Sequence, residues 1–120
     1  MSSQDLHSPD DVDTIMADDA GAVLIEFWSS DGPKISDDFD AVAKTFANDP
    51  VRFCRVQIDA HPEIAEPFHI ETIPTLILAL DGEILDAAVG RMDRALLEKK
   101  VRWLMSQQRG DGFFARLFGR

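Results

Sequence analysis

Ala22-Val23-Leu24-Ile25-Glu26-Phe27-Trp28 is the stretch that decides the fold. It is too continuously apolar for a strand with one face in water, so it reads as a central strand buried on both faces. Upstream, Ser8-Pro9-Asp10-Asp11 is a helix start: a capping hydroxyl, proline at the first helical position, then acids against the macrodipole. Val12, Ile15 and Met16 follow at helical spacing, and Asp18-Asp19-Ala20-Gly21 ends that turn. Downstream, Ser29-Ser30-Asp31-Gly32-Pro33 has loop composition. A helical period returns from about Lys34 to Phe46 through Ile35, Phe39, Val42 and Phe46, and Asn48-Asp49-Pro50 stops it.

Val51 to Ile58 is a second β-rich run, and His61-Pro62-Glu63 opens a short helix ending near Phe68. Ile73-Pro74 precedes Thr75-Leu76-Ile77-Leu78-Ala79-Leu80, another wholly apolar strand. Asp81-Gly82 is the preferred dipeptide of a two-residue hairpin, with Glu83 to Val89 returning. A last amphipathic helix, roughly Asp93 to Met105, puts Leu96, Leu97, Val101 and Leu104 on one side. Arg94, Glu98, Lys99 and Arg102 fall on another. Crossovers through helices imply parallel strands, and the hairpin adds an antiparallel pair. The expectation is an α/β fold, a central mixed sheet sandwiched by about four helices, over residues 1–106. Residues 107–120 read as an aromatic-basic C-terminal tail.

The 120 residues are 45% hydrophobic and 28% charged, which fits a single soluble domain. One cysteine, Cys54, excludes an internal disulfide. No apolar run reaches the ~18 residues of a membrane span, and the N-terminus lacks a basic-then-apolar secretory layout. A reducing cytoplasm is therefore expected. Charge is uneven: residues 1–90 carry 19 acids against 4 bases, residues 91–120 carry 3 acids against 8 bases. An acidic body argues against nucleic acid, whose affinity comes mostly from neutralised phosphates. His7, His61 and His69 are too widely spaced for a local metal motif, so no metal or other cofactor is expected. Ser29 and Ser30 lie in no nucleophile elbow, and Gly32 and Gly82 are isolated turn glycines rather than a phosphate loop.

The order of elements, with these residues, resembles the thioredoxin family. The likeness rests on Val23 to Trp28, then Gly32-Pro33, then Gln57-Ile58-Asp59 with Pro62. It continues through Ala65, Pro67, Phe68 and Ile70 to Ile73-Pro74-Thr75-Leu76, Asp81-Gly82-Glu83 and Val89-Gly90, spanning about residues 5–105. The family carries a Cys-Gly-Pro-Cys pair at the start of its second helix. Here that segment is shorter and reads Ser29-Ser30-Asp31-Gly32-Pro33-Lys34. Asp31 and Lys34 take the two cysteine positions if Gly32-Pro33 keeps its register; Ser29 or Ser30 could equally take the first. Dithiol exchange needs an attacking thiolate and a resolving thiol.

The resemblance implies roles for several residues. Glu26 stands where the family has a buried acid and Arg55 where it has a basic partner. The readings are a structural ion pair, an acid at a cleft, or a catalytic group. Ile73-Pro74 stands at the family's cis bond, with Trp28, Asp31, Gly32 and Pro33 flanking a groove for an extended peptide. Pro74 could alternatively only close a loop. Phe113, Phe114, Leu117 and Phe118 would form one apolar face of a short terminal helix. That face would pack on the acidic body, a partner or a second copy, or stay disordered; a membrane contact is disfavoured by the acidic body.

The loop also resembles that of the cysteine-free hydrogenase-maturation thioredoxin-like chaperones. The expectation is thus a redox-inactive chaperone or assembly adaptor, not an enzyme, gripping a protein or peptide client at the Pro74 groove. Two alternatives stand beside it. One is a single-thiol redox protein using Cys54; the other is a subunit docking into a larger complex through the tail.

Overall fold

The computed structural model describes residues 3–32 and 37–117, with side chains for 3–32 and 38–108. The strands are β1 (Ser3–Asp5), β2 (Ala22–Trp28), β3 (Val51–Gln57), β4 (Thr75–Leu80) and β5 (Glu83–Val89). The helices are α1 (Pro9–Ile15), α2 (Asp37–Thr45), α3 (Pro62–Ala65) and α4 (Arg94–Leu117), with a 3-10 turn at Glu66–Phe68. The sheet order is β1-β3-β2-β4-β5. β3 runs parallel to both β1 and β2, whereas β4 is antiparallel to β2 and β5. This is the thioredoxin-like α/β architecture expected from the sequence.

β2 is central because every one of its residues up to Phe27 is buried. Alternation then divides its side chains between two cores. Ala22 and Leu24 join Phe39, Val42 and Ala43 of α2 and Leu97, Val101 and Leu104 of α4. Val23, Ile25 and Phe27 join Ile15 of α1, Ile64 of α3, and Cys54 and Val56 of β3. Glu26 has the parity of Ala22 and Leu24, so a carboxyl lies in the α2/α4 layer.

Ser8 caps α1 as its sequence dictates, its hydroxyl accepting from the Asp11 amide at 3.3 Å, with Pro9 in the first turn. The Asp81-Gly82 turn has positive φ at both residues, 50° and 81°, as a two-residue hairpin requires.

Three features depart from the sequence reading. β1 has no counterpart in the sequence reading, because three mixed-polarity residues carry no periodic signal; it exists because β3 offers it an edge. Leu96 is 42% exposed rather than part of the core side of α4. The boundary at 106/107 falls inside α4, which runs on through Gly110 and Gly112. A two-turn helix is marginal alone, but extending an existing helix needs no new nucleus. The side chains of Phe113, Phe114 and Leu117, and all of Phe118, lie outside the described residues, as do Pro33 and Lys34. No helix among the described residues is long and apolar enough to cross a membrane.

Candidate functional site

The C-terminal ends of β1, β2 and β3 meet at one end of the sheet. β2 delivers Trp28 there, and the Ile58 amide donates to the Trp28 carbonyl at 2.8 Å, carrying the ladder one step past β3. The chain then turns tightly: the Gly32 amide donates to the Ser29 carbonyl at 3.2 Å, and the Asp31 amide to the Ser29 hydroxyl at 3.2 Å. Asp59 anchors the turn from below. Its carboxylate accepts from the Ser30 amide at 3.1 Å and from the Ser30 hydroxyl. Those bonds favour the ionised form and hold the Asp59 carboxyl down at about 2.

The Ile73–Pro74 peptide is cis. Phe27 is paired with Thr75, which brings Pro74 beside the end of β2. A Cβ added to Gly32 would meet the terminal Cδ1 of Ile73 at 2.7 Å, so the turn lies against the end of the Ile73 side chain. The structure therefore gathers Trp28, Asp31, Gly32, Ile73 and Pro74 at one end of the sheet.

A cleft of about 520 Å³ opens beside them, bounded by His7, Trp28, Ser29, Arg55 and His61. The His7 and His61 rings meet edge-on, 5.5 Å apart, and His61 Nδ1 lies 3.7 Å from Glu63. The N-terminal wall, Asp5 to His7, escaped sequence reasoning because it depends on β1. Among the described residues, no group of three or more His, Cys, Asp or Glu side chains is placed to hold a metal ion.

Behind the cleft lies an unusual set of charges. Glu26 and Arg55 are register partners across β2 and β3. The expected direct ion pair between them is not formed. Arg55 Nε lies 3.3 Å from Asp5 and Nη1 3.4 Å from Asp40 of α2, which also accepts from Ser3 at 2.9 Å. Glu26 is 7% exposed, and its Oε1 has no hydrogen-bond partner. Burial pushes its carboxyl up to about 7; the Arg55 charge pulls it down and the Asp40 charge pushes it up again. Trp28 Nε1 is a second buried polar atom without a partner.

Cys54 sits one residue before Arg55 and points into the opposite layer, among Leu6, Ile15, Val23 and Ile25. It is wholly buried, and burial pushes its thiol up to about 12, with Arg52 opposing and Asp11 adding to the shift.

The sequence model of the Thioredoxin family matches residues 5–103. The chain belongs to the thioredoxin family. A thioredoxin of Chlorobaculum thiosulfatiphilum is 28% identical over 98 residues, 73% of this chain and 83% of the relative. A thioredoxin of Porphyra purpurea is 30% identical over 87 residues, 70% of this chain and 80% of its own. Among solved structures, Malassezia sympodialis thioredoxin superposes with a TM-score of 0.75 at 27% identity, covering 85% of this chain and 90% of that one.

These relatives correct the functional expectation. They are thioredoxins, which are oxidoreductases, and none carries a chaperone's name. The reading as a redox-inactive chaperone or adaptor, and as a protein that is not an enzyme, is overturned by that finding. The cysteine-free loop is one short segment, whereas the likeness to thioredoxins runs over residues 5–103.

Proposed function

We propose that the protein is a thiol–disulfide exchange protein of the thioredoxin family that works through one thiol, Cys54, in a reducing cytoplasm. The observation that carries this reading is the place of Cys54. It is the chain's only cysteine, and among the described residues its strand is separated from the sheet edge by the three-residue β1 alone. Gln4 is the register partner of Cys54. If β1 lifts away, an extended segment of a partner protein can add to β3 in its place. A partner cysteine at the position of Gln4 would then stand beside the thiol on the same face.

The closed state is inert. At pH 8 a thiol with a pKa of about 12 is ionised roughly one part in ten thousand, whereas an ordinary thiol at ~8.5 is about a quarter ionised. Opening that carries Leu6 and α1 off the thiol along with β1 therefore switches the nucleophile on. The Cys54 thiolate attacks one sulfur of the partner's disulfide, and the other leaves as a thiolate that takes a proton. A low-molecular-weight thiol then attacks the Cys54 sulfur, releasing the partner's second thiol. A second equivalent of the same thiol frees Cys54 and completes the two-electron reduction.

The test is the rate of Cys54 labelling by an aromatic disulfide reagent at pH 8. Leu6→Ala loosens the strap between β1 and α1, while Leu97→Ala loosens the opposite layer. Labelling should accelerate at least tenfold more in Leu6→Ala than its loss of global stability accounts for, and Leu97→Ala should show no such excess. Labelling that follows global unfolding in both variants would remove Cys54 as the working group.

A further inference from the structure

The four large hydrophobic side chains that stand exposed among the described residues are Ile84, Val89, Leu96 and Trp103. Single exposed hydrophobics are ordinary, but these all lie on β5 and α4. α4 carries two apolar stripes. Leu97, Val101 and Leu104 are 2%, 0% and 0% exposed and fill the core. Leu96 and Trp103 are 42% and 41% exposed and, seven residues apart, share another face. Lys99 and Lys100 lie between them, three and four residues after Leu96. With Asp86 of β5 these four line a groove of about 290 Å³. Lys100 is tied back to Asp86 at 3.7 Å, and Lys99 is exposed. β5 is the last strand of the sheet, so its outer backbone edge has no strand partner among the described residues.

We propose that the α4–β5 edge is a docking surface for an acidic polypeptide segment of a partner protein, its apolar side chains covering Leu96 and Trp103. Charge selects the occupant. Residues 91–106 hold five bases against two acids, in a chain whose first 90 residues hold 19 acids against 4 bases. Arg94 and Arg102 pair with Glu98 outside the groove, whose own lining sets Lys99 and Lys100 against Asp86. An acidic segment is drawn to this net positive lining, while extended nucleic acid would run onto the acidic body. A second copy is disfavoured, because a two-fold contact here sets Lys99 and Lys100 against themselves. The surface lies at the opposite edge of the sheet from β1, so a docked partner leaves the β1 edge open.

The chain has two tryptophans, so Trp28→Phe leaves Trp103 as the sole reporter. The probes are a 12-residue peptide alternating glutamate and leucine and its lysine–leucine counterpart. The acidic peptide should saturate with a blue shift of Trp103 emission and bind at least tenfold tighter than the basic one. Lys99→Glu or Leu96→Ser should weaken it about tenfold, and Lys44→Glu on α2, the same charge change elsewhere, should leave it unaltered. No shift up to about 1 mM peptide, equal binding of both peptides, or equal loss in Lys44→Glu would overturn the proposal. So would a dimer in sedimentation velocity that Leu96→Ser dissociates, which would assign the face to a second copy.

Discussion

Glu26 and Arg55 stand side by side across two parallel strands, yet the guanidinium turns away to Asp5 and Asp40 and leaves a carboxylate oxygen of Glu26 without a partner. The reason is competition. Two half-exposed carboxylates reach Arg55 from β1 and α2, and they keep part of their hydration while doing so. A fully buried pair would lose that hydration on both partners.

The first consequence is a pH-dependent stability. Glu26 binds its proton with a pKa of about 7 when folded against 4.5 for the free group. Below pH 4.5 both states are protonated and Glu26 costs nothing. As pH rises towards 7 the unfolded state ionises while the folded state resists, and stability falls by about 3 kcal/mol in total. Glu26→Gln should therefore gain about 2–3 kcal/mol over the wild type at pH 8 relative to pH 4.5, read from urea unfolding at the two pH values.

Asp40 tunes the same carboxyl. Asp40→Asn removes a charge that raises Glu26 and loosens a contact that holds Arg55 away from it. The Glu26 carboxyl should then titrate clearly below 7 in a side-chain NMR titration. Loss of the bridge and of the charge on the Ser3 contact should cost about 1 kcal/mol. A Glu26 pKa that stays put or rises would show that Arg55 does not turn inward.

Cys54 separates packing from chemistry. Cys54→Val conserves an apolar strand residue and should stay within about 1 kcal/mol of the wild type. Cys54→Ser buries a hydroxyl in an apolar layer and should cost about 2 kcal/mol. Both should lack exchange with glutathione disulfide, followed by mass spectrometry of the intact chain.

The hairpin supplies a backbone test. A Cβ at Gly82 would come within 2.4 Å of the Met16 carbonyl oxygen, on top of a φ of 81°. At Gly90 the φ is 100° but nothing lies within 4 Å. Gly82→Ala should cost upwards of about 2 kcal/mol and Gly90→Ala about 1 kcal/mol in thermal unfolding.

The two stripes of α4 predict a contrast one residue apart. Leu97→Ala empties a buried site and should cost about 2–5 kcal/mol, whereas Leu96→Ala on the exposed stripe should stay within about 0.5 kcal/mol. Urea midpoints of the two variants decide it.

Much of the fold was legible residue by residue. Ser8-Pro9, the run Ala22 to Trp28, and Asp81-Gly82 each carry a local preference that the structure obeys, because caps, buried strands and tight turns are set by neighbouring residues. The grouping of Trp28, Asp31, Gly32, Ile73 and Pro74 was legible through family likeness. β1, the cleft wall at His7 and the exposure of Leu96 were not, since each depends on which distant element is or is not packed alongside.

By itself, then, the sequence determined the element order, the parity that sends Leu24 and Val23 to different layers, and the presence of one thiol. The packing of distant elements set where Arg55 spends its charge, that Cys54 lies one strand in from the sheet edge with its thiol among Leu6, Ile15 and Ile64, and which stripe of α4 is left bare. Periodicity acts within a few residues along the chain. Burial and charge act across space, and a carboxyl or a thiol takes its chemistry from what the fold packs around it.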